Sequence, residues 1–108
     1  MINGIGIDLV EIQRIRQMIK RFGQNFLNRV YTEAERREAG YRQDPAAYYA
    51  GRWAAKEALA KALGCGIGSL CAFTDIETTN SPSGKPVMTL SGEAAKTMSK
   101  QGGKKIFV

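Results

Sequence analysis

The chain has 108 residues, 44% hydrophobic and 24% charged, a composition that fits one folded domain and excludes a disordered chain. Its 16 Lys and Arg against 10 Asp and Glu give a net charge of +6, which favours an acidic partner such as nucleic acid, a phosphorylated metabolite, an anionic membrane or an acidic protein. It contains no histidine, so Ser-His-Asp hydrolysis, Cys-His proteolysis and His-ligated zinc are excluded, and any chemistry must use carboxylates, amines, hydroxyls or a hard metal ion.

Residues 2–9 are short, β-branched and dotted with glycine, which predicts a strand ending at Asp8. Helical spacing follows in Ile12, Ile15, Ile19 and Phe22, with Arg14, Arg16, Lys20 and Arg21 on the other face and Gly23 as the stop. Residues 25–31 fit a short turn of helix. Thr32 and Glu35 form a capping box that opens a polar helix running to about Gly40. Asp44 followed by Pro45 starts a further helix, rich in Ala and Leu, that runs to Leu63 and ends at Gly64. Residues 72–79 alternate as a strand, residues 81–84 carry turn chemistry, and residues 86–90 form a second strand, so a hairpin is expected. Ser91 is the expected cap of a helix over residues 91–100, and a last strand begins at Lys105. The order is β-α-α-α-β-β-α-β in one α+β domain covering residues 1–108. A compact domain rarely stops as a strand begins, so a missing or atypical C-terminus is expected. Cys65 and Cys71 read as free structural thiols, because two thiolates alone make a poor zinc site. There is neither a basic leader nor an apolar run of the ~20 residues that a membrane helix needs.

Three groups of residues could carry chemistry. Trp53, Glu57 and Lys61 share one helical face at four-residue spacing. Glu57 and Lys61 fit a plain surface pair worth a few tenths of a kcal/mol. Alternatively, the alanines at 54, 58 and 62 pack the helix closely and half-bury Glu57, which then needs a metal or a cation. Asp8 stands between a strand and a helix, where it can cap the helix or bind a hard metal. Magnesium takes one or two carboxylates and completes its shell with water and phosphate oxygens, so Asp8 and Glu57 could form such a pair, with Lys61 facing the same phosphates. The Ser83-Gly84-Lys85-Pro86 segment is either an ordinary hairpin loop or a close backbone approach to a ligand beside a cation.

Four ordered blocks then resemble one known family, holo-acyl-carrier-protein synthase. They are Gly4-Ile5-Gly6-Ile7-Asp8-Leu9-Val10-Glu11-Ile12, the helix Arg52-Trp53-Ala54-Ala55-Lys56-Glu57-Ala58 with Lys61, Asp75-Ile76-Glu77, and Gly84-Lys85-Pro86. The resemblance implies a small 4′-phosphopantetheinyl transferase domain with helices packed on an antiparallel sheet, assembled as a cytoplasmic homotrimer with interfacial active sites. It implies magnesium-dependent transfer of the 4′-phosphopantetheine arm of coenzyme A to a serine of apo acyl carrier protein, releasing adenosine 3′,5′-bisphosphate. Asp8 and Glu57 would hold Mg2+, and Glu57 and Lys61 would be catalytic. Lys56, Lys61, Gly84, Lys85 and Pro86 would bind coenzyme A. Arg14, Met18 and Arg21 would meet the carrier protein. The family usually continues into a histidine-containing stretch and a closing strand, whereas here Phe107 stands at the first histidine position and the sequence stops at Val108.

The runner-up is a docking module that binds carrier protein or coenzyme A without turnover. A nucleic-acid binder is disfavoured, since no basic stripe interleaved with aromatics is present. No membrane partner is expected.

Overall fold

A computed structural model describes residues 9–80, 83 and 85–100. The strands expected at each end, together with Asp8 and Gly84, lie outside the described residues. Helix α1 spans Leu9–Phe22, α2 Gln24–Val30, α3 Glu33–Ala39 and α4 Pro45–Ala62. A short 3-10 turn, Phe73–Asp75, leads into strand β1, Ile76–Asn80; strand β2 is Pro86–Leu90 and helix α5 is Gly92–Lys100.

Local chemistry sets most of these boundaries. The capping box at α3 is formed: Glu35 N donates to Thr32 Oγ1 at 3.3 Å, and Thr32 N donates to Glu35 Oε1 at 2.9 Å. At α4, Asp44 Oδ1 accepts from Ala47 N at 3.4 Å with Pro45 in the first turn. Gly64 leaves the helix with φ +83°, a conformation that residues with a Cβ rarely adopt.

Two predicted details change. Phe73–Asp75 form the 3-10 turn and not the start of a strand, because Asp75 Oδ2 bends back to accept from Ala72 N at 3.1 Å. The cap of α5 is this same carboxylate and not Ser91: Asp75 Oδ2 accepts from Ala94 N at 3.3 Å, while the Ser91 hydroxyl and amide both donate to the Asp75 carbonyl, at 3.5 and 2.8 Å. Gly92 makes this close approach possible. Its φ is +56°, and a Cβ there would stand 2.7 Å from Asp75 Oδ1. Gly92→Ala is therefore expected to destabilise the fold by about 1 kcal/mol or more, read as a lower urea midpoint at unchanged slope.

β1 and β2 pair antiparallel, with Ile76 opposite Leu90, Thr78 opposite Met88 and Asn80 opposite Pro86. Period-two alternation turns Ile76 and Thr78 inward, and both are buried. The helices form two apolar clusters that share α4. Ile15, Phe26, Val30, Tyr31, Ala39, Tyr49 and Ala50 gather α1 to α3 around its first half. Leu59, Ala60, Leu63, Cys71, Ile76 and Ala94 join its second half to the hairpin and α5. Burial of Ile15 alone contributes roughly 1.5–3 kcal/mol. The Tyr31 hydroxyl donates to the Tyr49 carbonyl at 2.8 Å, and burial raises its pKa. Both cysteines are free thiols, and burial pushes Cys71 up to about 11.

The alanine face of α4 is rotated from the expected one. Ala46, Ala50 and Ala60 are buried, whereas Ala54 is half-buried and Ala58 and Ala62 are exposed. The phase is set by what covers the helix: Ala50 lies in the cluster that α1 and the aromatic residues form, and Ala60 in the cluster with the hairpin and α5.

Candidate functional site

The Trp53–Glu57–Lys61 stripe runs from core to solvent. Trp53 packs on Phe73 with ring centres 4.6 Å apart and stacks on Phe26 at 6.1 Å. One turn on, Glu57 is half-buried, and one turn further Lys61 is exposed. Neither Glu57 nor Lys61 makes a hydrogen bond or an ion pair among the described residues, although four-residue spacing puts them within reach. The simple surface pair is thus not formed. A carboxylate with no protein donor on a partly buried face is suited to a cation, and the ammonium beyond it to an anion. Among the described residues no cluster of three or more His, Cys, Asp or Glu side chains could hold a metal. A hard ion at Glu57 would then complete its shell with ligands from outside these residues, such as water and phosphate oxygens.

Lys56 is placed differently from its expected role at coenzyme A. It and Glu35 are each 0% exposed. Its ammonium donates to Glu35 Oε1 at 2.8 Å, to the Phe73 carbonyl at 2.9 Å and to the Ile76 carbonyl. Burial pushes its pKa below the usual lysine value, and the Glu35 carboxylate opposes that shift. Fully covered and with each proton engaged, Lys56 has no surface to offer a ligand. Sequence reading assigned Glu35 only a cap. The signal for the pair was present: Leu59, Ala60 and Leu63 follow Lys56 at i+3, i+4 and i+7, which puts Lys56 on the apolar stripe.

Helix α1 presents its basic residues to solvent. Arg14 is exposed and pairs with Glu11 at 3.3 Å, and Arg21 lies over the Phe22 ring at 5.2 Å. Arg16 reaches Asp44 at 3.5 Å. Met18 is half-buried and packs against the first cluster, so only part of it can meet a partner. Leu9 and Val10 are each 71% exposed and, with Gln13, Arg14 and Gln17, line a shallow concavity of about 410 Å³. The loop between β1 and β2 ends at exposed Lys85, which precedes Pro86, the first residue of β2. The expected hairpin pairing of β1 with β2 is formed.

No helix among the described residues is long and apolar enough to cross a membrane. A family model of the 4′-phosphopantetheinyl transferase superfamily matches residues 4–105. The holo-[acyl-carrier-protein] synthase of Brucella ovis is 50% identical over 100 residues, which is 93% of this chain and 75% of that protein. The crystal structure of the Neisseria meningitidis holo-[acyl-carrier-protein] synthase is similar with a TM-score of 0.76 at 37% identity, covering 84% of this chain and 73% of that one. The Helicobacter pylori holo-[acyl-carrier-protein] synthase in complex with coenzyme A gives 0.72 at 35% identity, covering 84% and 74%. With helices on an antiparallel sheet that is two-stranded among the described residues, and with the motif helix and hairpin disposed as described, the chain belongs to the 4′-phosphopantetheinyl transferase superfamily and is a transferase of the holo-acyl-carrier-protein synthase type.

Proposed function

We propose that this chain transfers the 4′-phosphopantetheine arm of coenzyme A to a serine of apo acyl carrier protein. The serine oxygen forms a bond to the phosphorus that carries the arm. The bond from that phosphorus to the pyrophosphate bridge breaks, and adenosine 3′,5′-bisphosphate leaves. The observation that carries this is the α4 stripe: a half-buried carboxylate at Glu57 and an exposed ammonium at Lys61, neither neutralised by the described protein. Phosphoryl transfer needs positioning and charge neutralisation more than covalent help.

Asp8 and Glu57 would hold Mg2+, which supplies charge neutralisation at the pyrophosphate. Lys61 faces the same phosphates as a point charge and stabilises the leaving oxygen. Glu57 is the carboxylate placed to receive the serine proton. Gly84, Lys85 and Pro86 meet the nucleotide end of coenzyme A. The assembly is a homotrimer in the cytoplasm, and exposed Leu9, Val10, Leu70 and Val87 supply apolar surface for subunit contacts.

Arg14, Arg21 and the exposed part of Met18 receive the carrier protein. Complementary charge mainly speeds and orients such encounters. Arg14→Glu is expected to raise KM for carrier protein about tenfold and leave KM for coenzyme A unchanged, as steady-state kinetics at low salt would show. Equal KM values for carrier protein in the two proteins would remove α1 as the docking face.

The whole proposal is tested by the intact mass of apo acyl carrier protein after incubation with this chain and coenzyme A, with Mg2+ and with chelator. A gain of one phosphopantetheine arm that requires the metal is expected. No gain, with carrier-protein binding retained, would make the chain a docking module.

A further inference from the structure

The two lysines of the α4 motif have opposite surroundings. Lys61 is exposed and unpaired among the described residues, whereas Lys56 is enclosed. The three protons of the Lys56 ammonium meet three acceptors: Glu35 Oε1 at 2.8 Å, the Phe73 carbonyl at 2.9 Å and the Ile76 carbonyl. The Glu35 carboxylate in turn takes three donors: Lys56, Thr32 N at 2.9 Å and, through Oε2, Thr78 N at 2.8 Å. Thr32 donates its hydroxyl to Glu77 at the outer edge of the same group. Every strong bond of the pair is made, and the bonds join three elements that are far apart in sequence: the start of α3, the middle of α4, and the 3-10 turn with β1.

We infer that Glu35 and Lys56 form a positioning pair for the transferase site, locking the rotation of α4 against the β1–β2 hairpin. This rests on the proposed transferase reading. Lys56 and Glu57 are consecutive on one helix, so the 1.5 Å rise and ~100° turn per residue fix Glu57 and Lys61 once Lys56 is fixed. β1 runs from the same network directly to the loop that ends at Lys85. The pair therefore ties the helix that carries the proposed pyrophosphate end of the coenzyme A site to the hairpin that carries the proposed nucleotide end. The α4 surface near it is rich in alanine, whose small side chains allow a helix to slide or turn, while directional bonds to three backbone and carboxylate acceptors do not. A misplacement of about 1 Å can cost about a hundredfold in rate. Neither residue touches substrate in this arrangement; both act through Glu57 and Lys61.

The test compares the unaltered chain with Lys56→Met and with the double variant Glu35→Gln/Lys56→Met. Unfolding midpoint, kcat, KM for each substrate, and coenzyme A affinity by calorimetry are measured for each. Neutralising both partners removes the uncompensated buried charge, so the double variant is expected to unfold closer to the unaltered chain than the single variant does. Its kcat is nevertheless expected to stay at least about tenfold low, with KM for carrier protein within about twofold, because the α1 docking face is untouched. A purely structural pair would return kcat together with stability, and a stable double variant with kcat within about twofold of the unaltered chain overturns the inference. If the double variant does not fold, Glu35→Asp, which keeps the buried charges paired but shortens the carboxylate arm by one methylene, carries the same expectation of a lowered kcat, and unchanged kcat there overturns it. An unaltered chain that neither binds coenzyme A nor transfers its arm refutes the transferase reading, and the inference with it. Loss confined to the variants leaves that reading standing.

Discussion

Glu57→Gln is expected to lower metal-dependent transfer by at least about a hundredfold while the fold keeps its stability. The substitution keeps the shape and one carbonyl oxygen but removes the charge. In the proposed site that charge holds Mg2+ and receives the serine proton, and an amide does neither at neutral pH. Stability is expected to hold because Glu57 makes no hydrogen bond or ion pair among the described residues, so no protein partner is orphaned. Substitutions away from such partners usually stay within about 0.5 kcal/mol. Three measurements check this: kcat at saturating substrates, the Mg2+ concentration for half-maximal rate, and the thermal midpoint. A variant with near-normal turnover would remove Glu57 from the metal and from proton transfer. A variant that loses activity and stability together would make Glu57 a structural residue.

Features set by neighbours in the chain are legible in the sequence. The Thr32–Glu35 capping box, the Asp44–Pro45 start and the Gly64 stop each depend on fewer than five residues, and each forms. The hairpin was also readable, because alternation and turn residues both lie in one short segment. What escaped depends on residues brought together by folding. Ser91 is a reasonable cap by local preference, yet the Asp75 carboxylate reaches Ala94 N from the 3-10 turn and displaces that role. The alanines at 54, 58 and 62 and those at 46, 50 and 60 are equally good helix formers, and only the elements packed on α4 decide which set is buried. The motif alone predicts Lys56 as a ligand contact, although its i+3, i+4 and i+7 neighbours lie on the apolar stripe. A lysine on such a stripe implies a buried carboxylate, and Glu35 is that partner. Glu57 and Lys61 were visible as a pair by spacing, but whether they neutralise one another is a question of rotamers and surroundings that spacing does not answer.

The adjacent lysine makes the second large effect. Lys56→Met is expected to cost about 3–5 kcal/mol of folding stability, because it removes one partner of a fully buried ion pair and leaves the other charge uncompensated. Methionine fills nearly the same volume, so the loss is electrostatic and not a cavity. The Phe73 and Ile76 carbonyls lose a donor as well, and a buried acceptor left unmade adds to the cost. Domains of this size hold only about 5–15 kcal/mol in total, so the variant stands close to the folding limit. Its thermal midpoint is expected to fall by more than about 10 °C. Lys61→Met, five residues along the same helix, is the matched control. It removes the same charge from an exposed side chain with no described partner, and is expected to shift stability by less than about 0.5 kcal/mol while slowing transfer at saturating substrate. Urea unfolding of the two variants side by side separates the roles. A change below about 1 kcal/mol in Lys56→Met would show that the ion pair does not hold α4 against the hairpin.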